Sequence, residues 1–255
     1  MPRVIADADL FEFTLALADD ALVLGHRLSE LSGRGPSLEE DIALSNLGLD
    51  LIGQARLFYA YAGELEGNGR DEDDLAYFRN ADGYRNLLIV ELEPGDFALT
   101  IARQFLYAAF LHPYFAALCR STDARLAAIA AKAVKEMAYH LRHSSEWLIR
   151  LGDGTTESKR RAVEALDLLW GYTGEMFEPT TAEQRLVSAG IAPDRTQIRQ
   201  PWTATVDAVL AEASLQRPAQ RSMQSGGRRG QHTEGLDHML AEMQVLARQH
   251  PGAKW

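Results

Sequence analysis

The sequence predicts an all-α protein, an antiparallel four-helix bundle with additional helices toward its C-terminal end. Apolar residues recur at steps of three and four through four segments, each longer than twenty residues. Glycines, prolines and Ser/Thr/Asp capping residues punctuate their ends. No run alternates apolar and polar residues around a hairpin turn, and Asp153-Gly154 falls between two helical segments instead. Mostly short connections between long helices favour antiparallel neighbours.

Each element has its own signal. Leu10, Phe13, Leu17, Ala21, Leu24, Leu28 and Leu31 form the first stripe, stopped by Gly33 and Gly35. Ser37-Leu38-Glu39-Glu40 reads as a capping box opening a second helix, in which Ser37 caps and Glu40 answers. That helix carries Leu44, Leu47, Leu51, Ala55, Phe58, Ala62 and Leu65 and ends at Gly67-Asn68-Gly69. The acidic run 70–74 reads as a solvated loop or the start of a short helix. Asp96 caps a third long helix over about 97–119, which Pro113 should kink or interrupt. Leu126, Ala130, Ala133, Met137, Leu141, Ser144, Leu148 and Leu151 make the fourth stripe, stopped at Gly152. A fifth helix is expected over about 156–177. A capping box at Thr181-Ala182-Glu183-Gln184 opens a short helix, Pro201 suits the first turn of another, and Thr233 can cap the last. Trp147, Trp170, Met137 and Met243 fit these stripes as core residues, and the terminal Trp255 is expected to dock on this chain or a partner.

With 255 residues, 46% apolar and 24% charged, the chain reads as one domain over 1–255 with enough core to need no staple. Its formal charge of −10 argues against nucleic-acid binding. No apolar run reaches the ~20 residues of a membrane span. The N-terminal stretch carries acids where a signal peptide needs an apolar run, and the lone Cys119 cannot form an internal disulfide. A cytoplasmic location is the expectation. One compositional oddity remains: residues 216–230 hold four arginines, three glycines and no acid, so 216–233 reads as a flexible basic loop.

Long four-helix bundles raise the question of a di-metal centre, which takes four carboxylates and two imidazoles, with Glu-x-x-His on two of the helices. No Asp or Glu here has a His three positions later. The nearest approach is Glu136, His140 and His143 on one helix face, with Asp50 placed to meet them from the second helix. These four are candidates for a vestigial half-site or a buried polar network; no complete metal site and no catalytic residue can be assembled. No Gly-x-Ser-x-Gly elbow, Walker loop or Gly-x-Gly-x-x-Gly motif occurs. Arg228 and Arg229, among freed glycine amides, and nearby His232 are candidates for contact with an anion or a partner.

Several runs then carry a family resemblance. They are Ala21-Leu22-Val23-Leu24-Gly25-His26-Arg27-Leu28, the stretch from Asp41 to Arg56, Ala131 to Glu136 with Tyr139 to Arg142, and the C-terminal set Gly226 to Gly230, His232-Thr233-Glu234, Leu240 to Gln244, Pro251-Gly252 and Trp255. With these the chain resembles the C subunits of bacterial phenylacetyl-CoA epoxidases, the ring 1,2-phenylacetyl-CoA monooxygenases. It uses Arg228-Arg229 where lysines are usual in some relatives. The resemblance implies a ferritin-like antiparallel four-helix bundle without a metal centre. It implies a non-catalytic structural role in phenylacetate catabolism, with no cofactor in this chain. It implies three partners: a metal-bearing A subunit with di-iron, a small B subunit, and an NADPH-dependent reductase with flavin and an iron–sulfur cluster. A homodimer is the alternative state of the chain alone. Two other functions stay open on the residues: an autonomous oxidase or oxygenase with an unusual metal site at Asp50, Glu136, His140 and His143, and a CoA-binding regulatory module using Arg228 and Arg229.

Overall fold

The computed structural model describes residues 2–219 and 222–253; the terminal Trp255 lies outside them. Regular structure among the described residues is helical throughout. The chain runs α1 (Pro2–Ser29), α2 (Leu38–Glu66), α3 (Glu72–Tyr77), α4 (Leu88–Glu91), α5 (Phe97–Leu118), α6 (Ala124–Gly152), α7 (Thr156–Trp170), α8 (Thr181–Ser188), α9 (Arg195–Glu212) and α10 (Glu234–Gln249). Short turns make α1–α2 and α5–α6 into antiparallel hairpins. One long crossover, residues 67–96, joins the hairpins and carries α3 and α4. Two hairpins joined by a single long crossover is the ferritin-type connectivity of a four-helix bundle.

Most sequence signals act where expected. Asp96 accepts from the Leu99 N–H at 2.9 Å and Asp123 from the Leu126 N–H at 2.8 Å, capping α5 and α6. Asp71 opens α3 with a complete capping box. Gly67, at φ +69°, takes the left-handed position that ends α2. The apolar stripes of α1, α2 and α6 meet in one core that also takes in α5, α7, α9 and α10. α5 is buried almost all round, as a helix enclosed by α6, α7 and α9 must be.

Of the two outcomes expected at Pro113, interruption does not occur: α5 runs through it. Four other local expectations are corrected. α7 stops at Trp170; a turn follows, then a 3-10 segment over Gly174–Phe177, and this bend delivers Glu175 into the interior. The box opening α8 is one residue earlier, with Thr180 as cap and Glu183 answering at 2.8 Å. α9 begins at Arg195 under an Asp194 cap, leaving Pro201 inside it. Pro201 and Gln197 are both exposed, so the carbonyl that Pro201 leaves without a donor faces water. Thr233 precedes α10 without a side-chain cap bond; its backbone N–H goes to Glu91 at 2.6 Å.

Part of the expected basic loop is anchored to the bundle. Residues 226–232 are held by the chain's own buried acids. Glu175 accepts from the Gly226 and Gly227 amides and from the Leu88 amide, each at 2.8 Å. A side chain at Gly227 would lie 2.1 Å from the Asn86 carbonyl oxygen, so only glycine allows this approach.

Candidate functional site

The four metal-site candidates lie along the seam where α2 and α6 face each other, but the structure divides them among separate partners. His140 is fully buried. Its Nε2 meets Asp50 at 3.2 Å and its Nδ1 meets the Gln104 side-chain nitrogen at 3.0 Å. The imidazole thus lies between the Asp50 carboxylate and the Gln104 amide. Glu136 turns away from His140, accepts from the Gln54 amide at 2.8 Å and lies 3.6 Å from Lys132. His143 Nε2 reaches Glu40 at 2.9 Å. This contact explains the half-made cap of α2: Ser37 accepts from the Glu40 N–H at 3.4 Å, while the Glu40 carboxylate goes to His143 instead of answering.

These residues do not fit a di-metal centre. Among the described residues no three His, Cys, Asp or Glu side chains converge on a common point. Gln54 and Gln104 are both buried, and their amide nitrogens bind Glu136 and His140 respectively. A carboxylate satisfied by an amide donor and an imidazole spanning an acid and an amide form a hydrogen-bonded network.

The second set of candidates lies where the loop after α9 crosses the bundle. Arg228 points inward. Its two terminal nitrogens reach Asp20 at 2.6 and 3.2 Å, and one also donates to the Ala16 and Arg85 carbonyls at 3.0 and 2.5 Å. Burial pushes the Asp20 carboxyl up, against the pull of Arg228 and of the Leu87 N–H. His232 is buried between the Glu91 carboxylate at 2.7 Å and the Tyr84 carbonyl at 3.0 Å. A carbonyl only accepts, so Nε2 carries a proton, and the Glu91 contact favours a second on Nδ1. Burial opposes that charge, but Glu91, together with the Tyr84 carbonyl and Asp19, holds the imidazole above its ordinary pKa. Arg229 is exposed on the rim of a cleft of about 440 Å³. Arginines 85, 185, 228 and 229 line this cleft together with glutamates 12, 175, 178 and 183, so it offers an anion no net positive field.

Sequence reasoning missed the acids that organise this region. Asp19 and Asp20 sit inside α1, buried amid an apolar run from Phe13 to Gly25 that has no other charge. That isolation was the available signal. Asp19 pairs with Arg79 from the crossover and accepts from the Tyr59 hydroxyl at 2.5 Å. Glu183 pairs with the fully buried Arg195 at 2.6 Å. Arg103 forms no ion pair among the described residues, although Glu30 is near enough to pull its pKa up. It donates to the Leu92 carbonyl, two of its nitrogens are buried without partners, and burial together with the nearby Arg27 pulls its pKa down to about 9.

The family model for phenylacetic acid catabolic proteins matches residues 3–255. The chain belongs to this family. Membership places it in phenylacetate catabolism and agrees with the ferritin-like bundle described above. The chain is also 48% identical over 246 residues to the C subunit of the 1,2-phenylacetyl-CoA epoxidase of Escherichia coli (strain K12), covering 96% of this chain and 99% of that protein. No helix among the described residues is long and apolar enough to cross a membrane.

Proposed function

We propose that this chain is a structural, metal-free subunit of a multisubunit oxygenase that epoxidises the ring of phenylacetyl-CoA. It pairs with and braces the metal-bearing subunit, while a small subunit joins the assembly and a flavin and iron–sulfur reductase supplies electrons from NADPH. The observation that carries this reading is the self-paired seam: His140, Glu136 and His143 each have a partner within the chain, Glu136 and His140 through the buried glutamines Gln54 and Gln104. The near full-length likeness to an epoxidase subunit supplies the reaction class. The physical role is rigidity. An oxygen-activating helix bundle loses activity when its ligands shift by fractions of an ångström, and a second bundle packed against it limits such shifts.

Co-expression with the metal-bearing subunit, followed by size exclusion and iron analysis, tests the reading. The two chains are expected to elute together, with iron tracking the other subunit. This chain alone is expected to take up no stoichiometric iron on reconstitution, and His140→Ala is expected to leave the iron content of the complex unchanged. A pair of irons bound by this chain alone, lost in His140→Ala, would favour the autonomous metalloenzyme. Salt-sensitive binding of CoA to this chain alone would favour the regulatory module, which the mixed charge of the arginine-lined cleft does not support.

A further inference from the structure

A cavity of about 450 Å³ lies between α3 and the C-terminal end of α10. Its lining combines two chemistries. Asp71, Asp73 and Asp74, from the cap and first turn of α3, supply carboxylates, and Tyr77, Phe78 and Leu246 supply apolar surface. Phe78 is 45% exposed and Leu246 50%, so the apolar part is left open to water. No lysine or arginine lines the cavity among the described residues. Two nearby arginines are engaged elsewhere: Arg56 pairs with Glu72 at 3.3 Å, and Arg248 donates to the Tyr77 and Arg79 carbonyls at 3.1 and 2.9 Å. Burial, Asp71, Glu72 and Asp74 push the Asp73 carboxyl up against the pull of Arg56. A complementary occupant places a positive charge next to an apolar group.

The chain itself leads into this cavity. α10 ends at Gln249, and the turn after it folds back: the Ala253 N–H donates to the His250 carbonyl at 3.1 Å, and Gly252 takes φ +79°. His250, Gly252 and Ala253 all line the cavity. The next two residues in the sequence are Lys254 and Trp255, a cation followed by an indole. We infer that Lys254 and Trp255 close this cavity, the indole against Tyr77, Phe78 and Leu246 and the ammonium beside Asp73. Two residues reach up to ~7 Å from Ala253, enough to enter a cavity that Ala253 already lines. Its volume falls within the roughly 300–1,000 Å³ of sites that enclose groups of this kind. The tether also favours this occupant over a free one. A group joined through so short a link is present at an effective concentration on the order of millimolar, with which any separate partner must compete. The inference is independent of the reading of the chain as an epoxidase subunit.

The test incorporates 5-fluorotryptophan into the full chain and reads fluorine NMR, with Trp255→Phe identifying one of the four tryptophan signals. On exchange of H2O for D2O the Trp255 signal is expected to show no more than about a third of the shift of free fluorotryptophan, because the cavity encloses the indole. Leu246→Asp and Lys254→Glu are each expected to restore most of that shift, with circular dichroism confirming that the helices remain. Asp73→Lys combined with Lys254→Glu is expected to suppress it again, since the ion pair is reversed and not lost. A full shift in the wild type overturns the inference, and so does a small shift that Leu246→Asp leaves unchanged. Failure of the charge reversal to suppress the shift overturns the pairing of Lys254 with Asp73. Protection that grows with protein concentration assigns the cavity to a second copy, and protection that needs the metal-bearing subunit assigns the indole to a partner; either result overturns the inference.

Discussion

Glu175 is the single side chain on which the order of the basic loop depends most. Its carboxylate is buried and accepts three backbone N–H groups, from Leu88 at one oxygen and from Gly226 and Gly227 at the other. Glu175→Ala leaves these donors without an acceptor. A stranded buried donor costs about 1–3 kcal/mol. Three set an upper range of about 3–9 kcal/mol, reduced because the variant no longer desolvates a carboxylate. A net loss of about 3–5 kcal/mol is expected, lowering the melting temperature by roughly 10 °C for a domain of this size. Glu175→Gln discriminates further. One amide oxygen can keep both glycine bonds, but the amide nitrogen then faces the Leu88 N–H, donor against donor. This variant should lose about 1–3 kcal/mol. Amide hydrogen exchange reads the difference: Leu88 should lose protection in the Gln variant while Gly226 and Gly227 keep theirs, and all three should lose it in the Ala variant. An unchanged denaturation midpoint for Glu175→Ala with all three amides still protected would refute the reasoning, as would Gly226 and Gly227 opening before Leu88 in the Gln variant.

Two further predictions concern titration. Burial lowers the folded pKa of His232, but Glu91, the Tyr84 carbonyl and Asp19 together raise it above the ordinary value, so its contribution is fully present below the unfolded value, about 6.5, and is lost as pH rises through the folded value. His232→Asn should therefore destabilise most near pH 6 and progressively less toward pH 9; denaturant midpoints across that range check it, and a gap that widens with pH would contradict it. Arg103 behaves oppositely, since burial and Arg27 hold it down at about 9 while the unfolded side chain keeps its ordinary value. Its charge opposes folding at neutral pH and is relieved above pH 9, so Arg103→Met should raise stability by about 1–4 kcal/mol at pH 7, with the advantage shrinking by pH 10 in thermal melts.

The helices were legible because burial imposes a period. Leu44, Leu47, Leu51 and Phe58 are buried for the same reason that they are spaced by three and four. Ends were legible where a short polar side chain closes on the next turn, as at Asp96 and Asp123. They were missed where a remote element sets the backbone. The bend after Trp170 exists so that Glu175 can reach amides at positions 88, 226 and 227, and nothing within 156–177 announces those partners. The seam was half legible: one helix face does gather Glu136, His140 and His143, but only the tertiary structure assigns Gln54, Asp50 and Glu40 to them in turn. A period reports which residues turn inward and carries no information on which of them meet.

The arginine-rich loop shows this most clearly, and it explains why an acidic chain concentrates cations there. Buried Asp20 and Glu91 are answered by Arg228 and His232, and buried Glu175 by the amides of Gly226 and Gly227. Three acids from elements distant in sequence are thus satisfied by seven consecutive residues. Arg228 also shows why a lysine would not be equivalent here. Its planar fork places one terminal nitrogen against each Asp20 oxygen while donating to the carbonyls of Ala16 and Arg85, joining α1, the crossover and the loop through one group. A lysine ammonium has three donors on a single atom and cannot span both carboxylate oxygens and both carbonyls from one position. The charges of Arg228 and His232 are therefore directed into the protein's own core, while Arg229 stays exposed.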